Sequence, residues 1–298
     1  MSRVRIEHTR RSLALTRPLR RPLTATFAAL CVSSIACLPL APQTTPLPNT
    51  ILPNPVQPDP TPRAPLGVVA LSPIAGDAYA VEGVAIDDEG NARVLLPGDG
   101  IVTLDAEGAV VSRHAFYSEG LDDFGYSDLD VLPDGRLALA APNEVVVYDP
   151  AQKLVESYFC LEPGFGEIVM VNQSVAVDPT NDRVFAAPAF YDSTISFSTP
   201  QSAFHARYSL DGEFVMQVDV LSTQVVAEGL AFDVERDRLL AVDGDRLSIF
   251  KGDGTIERAV LLEEITDASG LAIDEANGQL LVTDRADMEL RRFALDEL

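Results

Sequence analysis

A five-residue pattern recurs five times in this 298-residue chain, and it restricts the fold more than any other feature. Gly83-Val84-Ala85-Ile86-Asp87, Asp128-Leu129-Asp130-Val131-Leu132, Ser174-Val175-Ala176-Val177-Asp178, Gly229-Leu230-Ala231-Phe232-Asp233 and Gly270-Leu271-Ala272-Ile273-Asp274 share an apolar alternation, usually closed by Asp. Their second positions, 84, 129, 175, 230 and 271, lie 45, 46, 55 and 41 residues apart. A second apolar strand follows each after a turn: Arg93-Val94-Leu95-Leu96, Arg136-Leu137-Ala138-Leu139, Arg183-Val184-Phe185-Ala186, Arg238-Leu239-Leu240-Ala241 and Gln279-Leu280-Leu281-Val282. Third and fourth strands come next, as in Arg246-Leu247-Ser248-Ile249-Phe250 and Thr255-Ile256-Glu257-Arg258-Ala259-Val260-Leu261. Short alternating runs joined by Asp-Gly, Glu-Gly and Asn-Gly read as antiparallel hairpins.

Four strands on a period of 41 to 55 residues make the blade of a propeller. The expected fold is therefore all-β, a single β-propeller of four-stranded antiparallel blades. Five blades is the preferred count; six is the alternative if the long third repeat hides a degenerate blade. The fifth repeat stops after its third strand, Leu290-Arg291-Arg292-Phe293, while an unmatched strand, Gly67-Val68-Val69-Ala70-Leu71, precedes the first. Pairing the two closes the ring and covers an edge that would invite aggregation. The propeller is assigned to residues 66–298.

Upstream of it the charge changes sign. The chain carries 22 Lys+Arg against 45 Asp+Glu, net −23, yet residues 1–37 hold seven arginines and one acid, Glu7. Removing that stretch leaves 15 bases and 44 acids, or −29. Such acidity excludes the basic surface that nucleic-acid binding needs. The basic stretch precedes an apolar run, 24–36, ending in Ser34-Ile35-Ala36 before Cys37, which reads as a signal peptide over 1–36. The run is too short to span a bilayer. Ten of the 21 prolines then fall within 39–65, so 37–65 reads as an unpacked, polyproline-like linker with a reach of about 80 Å.

Ser34-Ile35-Ala36-Cys37 resembles the lipobox of bacterial lipoproteins, with Ser where that family usually has an aliphatic residue. The resemblance implies an acylated Cys37 and a place in the bacterial cell envelope, at the outer membrane, periplasm or cell surface, with the membrane engaged only through this anchor. Cleavage at the same bond by an ordinary signal peptidase, giving a soluble secreted protein, is the alternative. Of the three cysteines Cys31 leaves with the signal and Cys160 stands alone, so neither a disulfide framework nor a zinc site is available.

Blade topology turns sequence order into a face. Fourth-to-first and second-to-third connections share one side, and the long ones, 117–127, 162–173, 188–202 and 222–227, all belong to it. Long loops on a rigid face are where binding concentrates. Glu82, Asp128 and Glu228 lie there at the starts of inner strands, a set of oxygen donors suited to a hard cation such as Ca²⁺. Asp123, Tyr126, Phe165, Phe190, Tyr191, Asp243 and Asp284 are the candidate ligand-face residues.

At Gly270 to Asp274, Gly278-Gln279-Leu280-Leu281-Val282-Thr283-Asp284 and Leu290-Arg291-Arg292-Phe293 the chain resembles the NHL repeat, and Gly229 to Asp233 with Leu240-Ala241-Val242-Asp243 is similar. It also resembles the SMP-30/gluconolactonase-like propellers, which supply a metal-ligand Glu at the position of Glu82. Their Pro-Asn-Gly and later Asp ligand motifs are absent, and no Gly-x-Ser-x-Gly, zinc-helix or Walker motif occurs. His114 and His205, alone after the signal, sit on strands and suit no triad. The expected function is non-catalytic binding of a protein, peptide or small-molecule ligand through the long-loop face. The alternative is a Ca²⁺-dependent lactonase or esterase of the SMP-30 kind.

Overall fold

A computed structural model describes residues 59–298 apart from 77, 79, 116–124, 143, 152–153, 161–167, 193–199, 204, 210–213, 219–226 and 253. For strand residues 59–60, 154–160, 168–172, 188–192, 200–203, 205–209 and 214–218 only the backbone is described. Two short strands come first, β1 (Asp59–Arg63) and β2 (Gly67–Ala70). Blade one comprises β3 (Val84–Ile86), β4 (Ala92–Leu96), β5 (Gly100–Leu104) and β6 (Val110–His114). Blade two comprises β7 (Asp128–Val131), β8 (Leu137–Ala141), β9 (Glu144–Asp149) and β10 (Leu154–Cys160). Blade three comprises β11 (Ile168–Asp178), β12 (Arg183–Asp192), β13 (Pro200–Ala203), β14 (His205–Ser209) and β15 (Phe214–Val218). Blade four comprises β16 (Gly229–Asp233), β17 (Arg238–Asp243), β18 (Arg246–Lys251) and β19 (Ile256–Leu262). Blade five comprises β20 (Ala268–Asp274), β21 (Gln279–Asp284) and β22 (Glu289–Ala294).

Within each blade consecutive strands pair antiparallel, except that in blade three both β13 and β14 pair with β12, and β2 pairs antiparallel with β22 to complete the fifth blade. Five sheets result, each a blade of the propeller that the repeat implied. The extra length of the third repeat is spent inside its own sheet. Pro188–Asp192 at the end of β12 pairs with Ile168–Asn172 of β11, and β13 pairs with the same part of β12. Residues 168–172, 188–192 and 200–202, expected within loops, thus form a three-stranded ribbon on the long-loop face. Asp59–Arg63, expected within the unpacked linker, is a parallel partner of β19. Its Arg63 carbonyl accepts the Glu263 amide at 2.7 Å, so these five residues strap blade four before the chain crosses to blade five.

The core lies between blades. Leu280 and Val282 pack toward blade four with Leu240, Val242 and Phe293, while Leu281 between them packs toward blade one with Val84, Val94 and Leu290. Blade two shows the same division: Leu139 joins the cluster shared with blade one, Ala138 and Ala140 the cluster shared with blade three. Period-2 side chains that are buried on both faces explain why the second strands read as continuous apolar runs.

At the hub the inner strands meet backbone to backbone. A Cβ on Gly229 would lie 2.7 Å from the Gly270 Cα, and one on Gly270 would lie 2.7 Å from the Gly83 Cα. One on Gly83 would meet the Asp128 carboxylate and lie 2.6 Å from the Leu129 nitrogen. Three of the five repeats therefore begin with Gly because the ring has no room there for a side chain.

Candidate functional site

The mouth of the ring on the long-loop face is built from the residues just before the inner strands and just after the second strands. Glu82 and Glu228 occupy the same repeat position, one residue before the hub glycines Gly83 and Gly229, with their amides bonded to the Leu95 and Val242 carbonyls at 3.0 and 2.9 Å. Both carboxylates face Arg285, which stands one residue beyond β21. The guanidinium Nη2 lies 2.7 Å from Glu82 Oε2 and its Nε lies 3.2 Å from both Glu82 oxygens. Its Nη1 lies 3.1 Å from Asp267 and 3.7 Å from Glu228. The backbone beneath is pinned across the closing seam: Thr283 donates to the Glu82 carbonyl at 2.5 Å and Ser269 to the Val81 carbonyl at 2.9 Å.

Burial raises the Glu82 carboxyl above its ordinary value, with Arg285 opposing. Glu228 is pushed up to about 7, chiefly by burial; Arg285 opposes, while Asp267, Asp243 and Glu82 add to the rise. For Arg285 itself, burial works against the charge, but Glu82, Glu228 and Asp267 more than offset it and hold the guanidinium above its usual range.

Asp128 does not join this group. It is fully buried and one repeat position further along, where its two oxygens accept the Leu129 amide at 2.9 Å and the Val175 amide at 3.2 Å. Burial drives its carboxyl well above the ordinary range. Asp130, two residues on, does the same with the Val131 and Val177 amides, both at 2.7 Å. The two acids knit the inner strand of blade two to that of blade three.

A divalent cation does not fit these donors. A Ca²⁺ ion takes six to eight oxygens directly, whereas here the Glu82 oxygens are occupied by a guanidinium and the Asp128 oxygens by backbone amides. Among the described residues no group of three His, Cys, Asp or Glu side chains is arranged to hold a metal ion.

Of the candidate ligand-face residues, Tyr126 is buried among Ala85, Leu95 and Leu129 between blades one and two. Its phenol is pushed up to about 12, first by burial and then by Glu144. Asp284 is fully buried and accepts the Thr266 and Ala286 amides at 2.9 and 3.1 Å, so it shapes the loops that present Asp267 and Arg285. Asp243 sits at the equivalent end of β17, half-buried, its carboxyl raised by burial against the pull of Arg246. The backbone of Phe190 and Tyr191 runs in the ribbon, opposite Met170 and Val169. Cys37, Asp123 and Phe165 lie outside the described residues. His114 meets the buried Tyr148 hydroxyl across the first two blades, a structural contact.

Arg285 and Asp267 are the site residues that sequence reasoning missed. The available signal was a base directly after the Asp that ends the second strand, where blade four has Gly244 after Asp243.

No protein-family model matches the chain, and no curated protein matches it in sequence. Solved structures to which it is similar include a gluconolactonase from Xanthomonas campestris, at 16% identity over 72% of this chain and 72% of that one, with a TM-score of 0.46. A chain of a nidogen/laminin complex is similar at 13% identity over 73% and 76%, with a TM-score of 0.47. A chain of a mitotic checkpoint complex is similar at 13% identity over 80% and 97%, with a TM-score of 0.43.

Proposed function

We propose that this protein is an exported, lipid-anchored propeller that binds a protein, peptide or small ligand through its long-loop face and catalyses no reaction. Arg285 is the observation that carries the reading. Its guanidinium stands 2.7 Å from Glu82 and 3.7 Å from Glu228, and so supplies positive charge at the carboxylates that the lactonase reading would give to a cation. The ribbon formed by β11, β12 and β13 extends blade three on the same face, an arrangement that suits recognition. Cys37 after Ser34-Ile35-Ala36 supplies the anchor, and the prolines of 39–65 supply the stalk.

Protein purified from an envelope fraction is expected to contain no stoichiometric metal by elemental analysis and to leave lactones and esters intact, with or without chelator. Mass spectrometry of its N-terminus is expected to find an acylated Cys37. Stoichiometric calcium with chelator-sensitive lactone hydrolysis would overturn the binding reading, and an unmodified Cys37 would overturn the anchor.

A further inference from the structure

The ring has a second mouth, on the side of the short first-to-second-strand turns, and a cavity of about 300 Å³ opens there with every blade contributing to its wall. Its carboxylates are Asp87 and Asp88 from blade one, Asp130 from blade two, and Asp274 and Glu275 from blade five. Between them stand Ile86, Val131, Val177, Phe232 and Ile273. Among the described residues no Lys, Arg or His lines it. From this combination we infer that the cavity is a binding site for a small organic cation, an amine or guanidine carried on a short apolar stem.

Size and walls argue for a ligand with an apolar body. The volume is at the lower end of the range of small-molecule sites, and burial of aliphatic surface against Val131, Val177 and Ile273 contributes affinity that an inorganic ion cannot obtain. The charge must be positive. Asp87 is matched by Arg93 at 3.2 Å, but among the described residues no base is paired with Asp88, Asp130 or Glu275, so the mouth keeps an unbalanced negative field.

The state of the carboxylate oxygens decides between an organic cation and a metal. Asp87 Oδ1 accepts the Glu89 and Asn91 amides at 3.1 and 2.9 Å, and Asp274 accepts both the amide and the side-chain nitrogen of Asn277 at 3.0 and 2.7 Å. Asp130 has an amide on each oxygen, and Glu275 accepts the Val234 amide at 3.1 Å. Oxygens committed to amides are poor inner-sphere ligands, yet their charge remains and their positions are rigid. They can attract an ammonium or guanidinium whose stem fills the space between the walls. Burial pushes the Asp130 carboxyl up to about 7 against the pull of its amide bonds, and a cation beside it would favour the ionised form.

The test is calorimetric titration of the purified protein with hexylamine at physiological ionic strength and pH 8. Hexan-1-ol and hexanoate serve as the neutral and anionic counterparts, and CaCl₂ as the hard cation. Hexylamine is expected to bind saturably at one site, hexanol about tenfold more weakly, hexanoate not at all, and millimolar Ca²⁺ is expected not to displace the amine. The double variant Asp88→Asn, Glu275→Gln changes turn residues only and keeps the Glu275 acceptor oxygen for Val234, so its folding is expected to be intact by circular dichroism. Its affinity for hexylamine is expected to fall about tenfold. Absence of saturable hexylamine binding, equal binding of hexanol, displacement by Ca²⁺, or undiminished affinity in the folded double variant would each overturn the proposal. None of these outcomes bears on Arg285 or on the long-loop face.

Discussion

Glu82 and Glu228 were legible as partners because they fall at the same repeat position, yet the residue that gives them a role, Arg285, is 203 positions from Glu82 and invisible in its pattern. Asp128 shows the opposite case, an acid in the right strand whose offset of one residue turns it from the mouth into the hub. Together these acids make the folded protein sensitive to pH in an uncommon direction. Burial raises Glu82, Asp128, Asp130, Glu228 and Asp243, with Glu228 and Asp130 both pushed up to about 7. A carboxyl with a folded-state pKa above its unfolded value binds more protons in the native state across that interval, so stability falls as pH rises from about 4 to about 7. Thermal unfolding is expected at a higher temperature at pH 5.5 than at pH 8, and Asp130→Asn is expected to flatten the dependence. A melting temperature that rises from pH 5.5 to pH 8 would contradict the assignment.

Each element carries its own device for turning. In blades one, three, four and five an Asp at the end of the inner strand accepts turn amides with its carboxylate; in three of them it also takes the base at the start of the second strand. Asp178 receives Arg183 Nε at 2.6 Å, Asp233 receives Arg238 at 2.7 Å, and Asp87 receives Arg93 at 3.2 Å. Blade five keeps the Asp and substitutes Asn277 for the base. In blade two the acid shifts into the turn, and Asp134 pairs with Arg136 at the surface. The closing Asp and the opening Arg were both plain in the sequence, and their spacing across the turn was the unread sign that they bond. Their worth depends on burial. Asp233 is fully buried and Arg238 nearly so, and removal of one partner from such a pair costs about 3 kcal/mol. Arg136 and Asp134 are solvated, and their pair is worth at most about 1 kcal/mol. Urea unfolding of Arg238→Ala and Arg136→Ala is therefore expected to separate by about 2 kcal/mol or more; equal losses would mean that the turn, not the buried pair, sets the cost.

The molecule as a whole is held by its closure. Removal of residues 1–70 takes away β1 and β2, and the loss of β2 frees the β22 edge and uncovers Leu290 and Leu281. That truncation is expected to lose the monomer by size-exclusion chromatography. Removal of residues 1–58, which spares β1 and β2, is expected to leave the melting temperature within about 2 °C. Retention of a stable monomer without β2 would show that the ring does not depend on this strand. The four-stranded blade and the closing role of Gly67–Ala70 could be read from the chain, because hairpin turns and two-residue periodicity are local properties; the choice of five blades over six came only with the five sheets. Val84, Leu129, Val175, Leu230 and Leu271, the residues that define the period, are all buried in inner strands. The chemistry of the two mouths was not readable in this way. One is a knot of Glu82, Glu228, Asp267 and Arg285, the other an acid-rimmed apolar cavity, and both gather residues from blades far apart in sequence. Which charges meet there follows from ring closure and from whether each carboxylate finds an amide, a guanidinium or open space, and those neighbours exist only once the blades have packed.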